Sequence, residues 1–560
     1  MARGAQQGEP HDWVTRAADD AIRHAHETHG DDRVITCASG ASPSGPIHLG
    51  NLREFITPHF VAEEIRRRGI PVRHLHSWDD YDRFRKVPAG VDPSWAEHIG
   101  RPLTAVPDPW ECHDSWAEHF KAPLRAALAE MGIEMEEVSQ TEQYRSGAYT
   151  EQVLHAIRHR AVIEEVLAKY RTKKAEAVAE SEQEAEALAD SVADEDDEPA
   201  GGDLARFPYK PYCRDCGRDT VEITAYDDAT TDLTYTCSSC GFTGVTNVAT
   251  QHEGKLVWKV DWPMRWAYEG VDFEPGGLDH STPGSSYTVG KELVKRVFDF
   301  RAPSYVAYAF VGFAGVQKMS SSAGGVPTAA DALTILEAPI LRWLYVRRAP
   351  KQAFNIDFGA EVVRLYDEWD ALGRKAGAGD KRDAQVLAFE RASATASAGT
   401  LPTPQRVESF RQLSSVADIT NGDEAQISRI VGASTEELEP RLSRAWTWMS
   451  EYGDRTTIRE VPDAARLAAL TEDEELWLRQ LLDRLPDQLE LEPTTALVYG
   501  VPKLARGLGL DDPPTDQVKQ DQKDFFRLLY NLLVDADRGP RLPTLFLALG
   551  PEKVRSLLTP

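Results

Sequence analysis

Two short stretches, far apart in the chain, hold the residue types that handle polyphosphate. One reads Pro43-Ser44-Gly45-Pro46-Ile47-His48-Leu49-Gly50-Asn51, the other Lys318-Met319-Ser320-Ser321-Ser322. Gly40, Gly45 and Gly50 let backbone approach a ligand closely, while Pro43 and Pro46 stiffen the turn. His48 stands where a side chain can donate to charge developing on phosphate oxygens. Lys318 is the one cation between Gly312 and Pro327, in a loop of small residues. A cation on such a loop can close over a leaving group and follow its charge. Singly, each stretch is an ordinary connection with stray polar residues; as a pair they point to nucleotide chemistry.

A second constellation is metallic. Cys213-Arg214-Asp215-Cys216 and Cys237-Ser238-Ser239-Cys240 are separated by twenty residues, each pair followed by glycine (Gly217, Gly241). Four thiolates at this spacing are the ligand set of a closed tetrahedral zinc site, with no open position for catalysis. With no export signal in the sequence, close cysteine pairs favour metal over disulfides. Cys37 and Cys112 read as small buried side chains. Further on, Gly277-Leu278-Asp279-His280 places a carboxylate after a glycine pair, the usual means of holding ribose hydroxyls. Asp79, Asp80, Asp82, Arg83, Arg85 and Lys86 crowd one loop, read either as a ligand edge or as a solvated charged loop. Arg342, Arg347, Arg348 and Lys351 lie beside Trp343 and Tyr345, a set that suits RNA phosphates and bases or else a solvated helix face.

The elements that position these residues follow from periodicity. Residues 11–30 carry a one-faced apolar pattern of helical spacing. Val34 and Ile35 open a strand, the glycine turn follows, and a helix runs on through Arg68. Unpaired N–H groups and the helix dipole at that helix start favour anions. Val72–Trp78 is a second strand, so strand, helix and strand begin an α/β, doubly wound (Rossmann-type) parallel sheet that binds ligands at its carboxyl edge. Residues 116–132, 150–172 and 284–299 read as helices and Tyr305–Val311 as a strand. Val221–Thr224 and Leu233–Thr236 form a hairpin between the cysteine pairs. The resulting organisation is a first catalytic half (1–172), an acidic low-complexity insertion (173–204), a zinc module (205–256), a second catalytic half (257–370), a low-complexity linker (371–404) and an all-α region (405–560). Its helices are expected at 405–418, 423–432, 434–452, 463–484, 491–508 and 517–535.

Composition bounds the function. The chain has 560 residues and a net charge of −27, from 63 basic and 90 acidic side chains. Such a protein is a poor generic nucleic-acid binder, so any RNA partner must meet a local basic patch. No apolar run is long enough to cross a bilayer, and the N-terminus lacks the apolar core of a secretory signal, which places the protein in the cytoplasm. The stretch from Ala175 to Asp203 is rich in alanine and acid and free of aromatics, and reads as disordered or as a frayed helix.

The paired motifs resemble the two signatures of class I aminoacyl-tRNA synthetases, with Asn51 in place of the second histidine and Ser321 in place of the second lysine. The stretches WDDYDRFRKVP (Trp78–Pro88) and VPDPWECHDSWAEHF (Val106–Phe120) narrow the resemblance to class I lysyl-tRNA synthetases. That resemblance implies activation of L-lysine by ATP, with Mg2+, to an adenylate and its transfer to tRNA(Lys). It implies catalytic roles for His48 and Lys318. Pro43, Gly45, Gly50, Asn51, Gly277, Asp279, Met319, Ser320 and Ser322 join them around ATP. It carries over Gly40, Ser42 (commonly threonine in the family), Trp258, His280 and Tyr308 as the lysine pocket. It further implies a structural zinc, a helical anticodon-binding domain, no membrane partner and a monomer. A class I synthetase for another amino acid such as glutamate, and a non-catalytic paralogue, are the rival readings. The group that meets the lysine ε-ammonium stays open.

Overall fold

The computed structural model describes residues 12–30, 33–180, 204, 206–281, 285–314, 326–379, 383–397, 399–510 and 512–559, with backbone alone over 172–180. They divide into two compact units. One takes the described residues up to Leu333 with Ala338–Ile356 and Leu372–Leu401; the other takes Thr334–Glu337, Asp357–Ala371 and the chain from Pro402 onward. None of the described helices is long and apolar enough to cross a membrane.

The first unit is mixed α/β, built on five strands: β1 (Ile35–Ala41), β2 (Val72–Trp78), β3 (Glu136–Ser139), β4 (Phe273–Gly277) and β5 (Ser304–Tyr308). They pair in the order β5-β4-β1-β2-β3, all parallel. Strand order reverses between β1 and β4, so a crevice opens there at the carboxyl edge, where open α/β sheets bind ligands. The first five residues of β1 are buried, as expected of a strand covered on both faces. Helix α1 (Trp13–His29) lies on one face, capped by Asp12, whose side chain accepts from Thr15 N at 2.8 Å. Its Ala17, Ala18, Ala21 and Ala25 pack with Val61, Ala62 and Ile65 of α2 (Leu52–Arg67) and with Ile35 and Phe273. Small residues on α1 permit that close approach. Helices α3 (Trp116–Glu130), α4 (Trp258–Glu269) and α5 (Ser286–Val297) complete the layers that bear on the site.

Two expectations need correction. The strand expected to run from Tyr305 to Val311 ends at Tyr308, and Val311–Phe313 pairs instead with Phe354–Ile356. Arg53 occupies the break. Its buried guanidinium donates to Ala309 O (2.6 Å), Pro350 O (2.5 Å) and Gln352 O (2.8 Å), carbonyls outside the five-stranded sheet. The stretch 371–404 is not a linker throughout. The helix Glu361–Gly377 runs into it, Ala384–Ser393 forms another, and Arg391 is buried there on Asp12 (2.8 Å) and Glu64 (2.6 Å). The acidic stretch meets the structure only at its start, in the helix Arg160–Glu180; residues 181–203 lie outside the described residues.

The second unit is helical. Phe410–Ile419, Glu424–Val431, Arg441–Tyr452, Glu472–Arg484, Leu491–Ala505, Asp516–Val534 and Leu542–Leu558 are its main helices. Their stripes meet in a core of Leu481, Val498, Val501, Phe525, Leu529 and Phe546. Ser434 with Glu437, and Thr471 with Glu474, form reciprocal capping boxes that fix two helix starts.

Candidate active site and metal centres

The glycine turn leaves β1 at Ala41 and enters α2 at Leu52, with Asn51 at the helix cap. Pro43, Gly45, Leu49 and His48 are buried, whereas Asn51 is exposed. Leu49 N donates to Pro327 O at 2.9 Å, and His48 forms an isolated antiparallel bridge with Thr328. The turn that carries the first motif is thus tied to the chain just after the second. Lys318, Met319, Ser320 and Ser322 themselves lie outside the described residues. Burial lowers the His48 imidazole to a pKa of about 4, so the ring is neutral at pH 7. Its Nδ1 is buried with no hydrogen-bond partner.

Beside the turn lies a cavity of about 70 Å³ at the carboxyl edge of β1 and β4. Gly40, Trp258 and His280, three of the expected lysine-pocket residues, line it. Trp258 and Trp262 stack at 5.3 Å and 13°, and His280 sets its edge on Trp262 at 5.6 Å. Tyr308 joins indirectly, through a hydrogen bond from its hydroxyl to Glu54, whose other oxygen accepts from Gly40 N at 3.2 Å. Ser42 follows directly on β1, half-buried. The chief surprise is acidic: Glu54, Asp79, Glu269 and Glu274 all line the cavity, against one arginine, Arg265. Arg265 is already held by Asp79 (2.8 Å) and Asp261 (2.9 Å), and Glu269 pairs with Arg73. Glu274 accepts from the indole N–H groups of Trp262 (3.1 Å) and Trp266. Burial raises the Glu54 carboxyl to about 8 and that of Glu274 to about 7. Sequence reasoning passed over both, because a glutamate in a first helical turn and another in a strand carry no motif.

Gly277 and Asp279 stand together at the end of β4. A Cβ on Gly277 would meet Asp279 Oδ1 at 2.1 Å, so the carboxylate folds back over backbone that only glycine provides. The acids after β2 are neither ligand edge alone nor solvated loop. Asp80 is buried, accepting from Lys121 Nζ (2.7 Å), Ser139 Oγ (2.7 Å) and Thr141 N (2.8 Å), and Asp82 pairs with Lys255. Only Asp79 faces the cavity. The basic cluster also divides. Arg342 is fully buried and donates to His59, Met131 O, Ala392 O and Arg391 O, which removes it from any RNA surface. Arg347 stacks over Trp343 at 4.0 Å and Arg348 over Phe354 at 4.5 Å.

The cysteine pairs converge. Cys213 and Cys240 sulfurs are 3.7 Å apart, as are those of Cys216 and Cys237, and all four lie within 4.8 Å of one another. A tetrahedron with Zn–S bonds of about 2.3 Å has edges of about 3.8 Å, so the set fits zinc. Gly217 (φ 73) and Gly241 (φ 75) turn the backbone at each knuckle. Three antiparallel strands, Val221–Tyr226, Asp232–Cys237 and Thr243–Asn247, carry the module. Cys112 contradicts its reading as a buried side chain: it is exposed, and its sulfur lies 3.2 Å from Asp108, 3.1 Å from His113 and 3.3 Å from His119. One sulfur, two imidazoles and a carboxylate form a second donor set suited to zinc. The signal available in the sequence was the Asp-x3-Cys-His-x5-His spacing within residues 108–119.

Residues 11–394 match the family model for tRNA synthetases class I (K). The chain is 52% identical to a lysine--tRNA ligase of Streptomyces coelicolor, over 99% of this chain and 99% of that one. It is 33% identical to a lysine--tRNA ligase of Thermococcus kodakarensis (97% and 98% covered) and 30% identical to one of Treponema pallidum (98% and 98%). By the family match and by its full-length likeness to these relatives, the chain belongs to the class I (K) tRNA synthetases.

Proposed function

We propose that this protein is a cytoplasmic lysine--tRNA ligase that makes lysyl-adenylate from L-lysine and ATP and passes the lysyl group to the 3′ end of tRNA(Lys). The observation that carries the reading is the cavity at the sheet's switch point, acidic and tryptophan-walled, directly beside the glycine turn. An amino acid with a cationic side chain and an aliphatic stem suits that lining. A glutamate-specific site needs a spare cation, and the one arginine lining the cavity is committed to Asp79 and Asp261.

In this reading the triphosphate lies over the turn from Gly40 to Gly50, flanked by Pro43, Gly45 and Asn51. Gly277 and Asp279 hold the ribose, and Met319, Ser320, Ser322 and Lys318 belong to the same ATP site. The lysine carboxylate oxygen attacks the α-phosphorus, the bond to the bridging oxygen breaks, and pyrophosphate departs. No protein nucleophile is needed: catalysis is positioning and preorganised charge. His48, neutral in the free protein, donates one N–H to the phosphate chain, while Lys318 supplies the full positive charge. Mg2+, bound with ATP, would supply further neutralising charge on the phosphates. A ribose hydroxyl of the tRNA terminus then attacks the adenylate carbonyl and AMP leaves. The all-α unit is read as the anticodon-binding domain. Cys213, Cys216, Cys237 and Cys240 hold one structural zinc, and Asp108, Cys112, His113 and His119 hold a second.

The test is aminoacylation of tRNA(Lys) with labelled lysine by the purified full-length chain. Accumulation of acid-precipitable, alkali-labile lysyl-tRNA, dependent on ATP, is the expected outcome. Charging with glutamate instead, or no charging by well-folded protein, would overturn the reading.

A further inference from the structure

Of the chain's thirteen tryptophans, Trp110 alone is left exposed, at 48%. A fold gains more from burying an indole than almost any other side chain, so one held out in water calls for a reason. Trp110 is also held in place. Its backbone N–H donates to Asp108 Oδ1 at 3.1 Å, and the other Asp108 oxygen takes Cys112 N (3.0 Å) and His113 N (2.9 Å). Glu111 turns the chain between them in the left-handed region, at φ 57. His119 of α3 stacks on one face of the indole at 4.1 Å and 23°, and Phe120 meets it edge-on at 6.0 Å and 88°. With one face covered and half of the residue exposed, the other face is open to solvent.

This open face stands close to the phosphate turn. Trp116, buried beside Trp110 with ring centres 5.9 Å apart, donates from its indole N–H to Ser44 O at 3.2 Å. Ser44 lies between Pro43 and Gly45 of the turn. The strand order says which side of the turn is meant. The segment that carries Trp110 leaves the sheet after β2, where Asp79 N donates to Ala41 O at 2.9 Å. Gly277 and Asp279 stand at the end of β4, on the other side of β1. A nucleotide whose ribose meets Asp279 and whose phosphates cross the turn keeps its adenine on the β4 side. Trp110 faces whatever arrives from the β2 side. The same segment braces the cysteine module further along, through Asp219 N on Gly100 O (2.9 Å) and Arg101 Nε on Cys216 O (3.2 Å).

We propose that Trp110 is the stacking platform for a base of the unpaired 3′ end of tRNA, and so helps to bring the terminal ribose to the adenylate. The assignment rests on the aminoacylation reading above and deepens it. Unpaired bases leave their faces free, and stacking on an aromatic ring accepts any base. An uncharged contact also suits a chain of net charge −27, whose overall field opposes RNA phosphates. His119 behind the indole fixes the plane on which the base lies.

The test compares full-length wild type, Trp110→Phe and Trp110→Leu, using intact tRNA(Lys) and tRNA(Lys) trimmed of its 3′ CCA. Leucine keeps apolar bulk without an aromatic face. Trp110→Leu should lower kcat/KM for intact tRNA by about tenfold, with KM for ATP and for lysine unchanged, whereas Trp110→Phe should stay within about threefold of wild type. Trimmed tRNA should bind all three proteins alike, which also shows that the variants are folded. In the wild type, acrylamide quenching reads the one exposed tryptophan, so intact but not trimmed tRNA should suppress it; this readout needs no variant. Equal losses in Trp110→Phe and Trp110→Leu would make Trp110 a packing residue and overturn the assignment. A raised KM for ATP would put adenine on the indole instead, and quenching that intact tRNA leaves unchanged would remove the contact. If the wild type charges tRNA(Lys) and Trp110→Leu charges it equally well, the assignment alone fails; if the wild type does not charge tRNA(Lys), the reading beneath it fails.

Discussion

Lysine binding to this cavity should expel protons. Burial, the main cause in each case, raises Glu54 to about 8 and Glu274 to about 7. At pH 7 the first is then about nine-tenths protonated and the second about half. An ammonium group binds the ionised form, so occupation of both releases about 1.4 protons at pH 7 and about 0.6 at pH 8. If both must ionise, affinity rises by about 100-fold or more between pH 6 and pH 8. Among the other charged groups around the cavity, Arg265 is paired with Asp79 and Glu269 with Arg73; burial raises Asp79 to about 6, so its ionisation contributes at the lower end of the same range. The sign for stability is opposite to that for affinity. In the free protein each raised carboxyl holds a proton that the unfolded chain has already lost, so stability falls as pH rises from about 4.5 towards 8, and lysine restores it. Calorimetric titration of lysine in phosphate and in Tris reads the released protons as a difference in apparent enthalpy. Identical enthalpies in the two buffers, with an affinity flat from pH 6 to pH 8, would refute the reasoning.

His48→Ala and Lys318→Ala should each lower single-turnover adenylate formation by about 100-fold, or about 2.7 kcal/mol, with little change in lysine affinity; weakened lysine binding at an unchanged chemical rate would remove them from the phosphate end. Gly277→Ala drives a methyl into Asp279 and should raise the KM for ATP by about tenfold while sparing lysine, as steady-state kinetics will report. Metal analysis of protein purified without chelator should find two zinc ions per chain. Cys213→Ser and Cys112→Ser should each remove one, and Cys213→Ser should lower the melting temperature by several degrees before it alters ATP binding. A single zinc unaffected by Cys112→Ser would leave the Asp108 cluster without a metal.

What the sequence made legible is what local backbone chemistry encodes. Glycines and prolines between Gly40 and Gly50 announce a turn that only a few conformations satisfy, and that turn lies where it was expected. Cysteine pairs with a following glycine announce a knuckle, because Gly217 and Gly241 adopt backbone angles that other residues avoid. The rest depends on contacts between distant segments. Arg342 sits in a basic, aromatic run that reads as surface, yet carbonyls of Met131, Arg391 and Ala392 take it into the interior. The alanine-rich stretch after residue 383 reads as a linker because its composition is poor, yet buried Arg391 ties it to Asp12 and Glu64. Glu54 and Glu274 lie 220 positions apart in the sequence, and only the β1–β4 pairing brings them to one cavity. Acid in a helix or strand is most often solvated, so composition gives no reason to select these two among 90 acidic residues.

The central claim is that this acidic, tryptophan-walled cavity beside the glycine turn activates lysine. Pyrophosphate exchange into ATP, run over the twenty amino acids with and without tRNA, tests it most directly. Exchange that depends on L-lysine alone is the predicted result. Exchange driven by glutamate, or by none of the twenty in either condition, would contradict it.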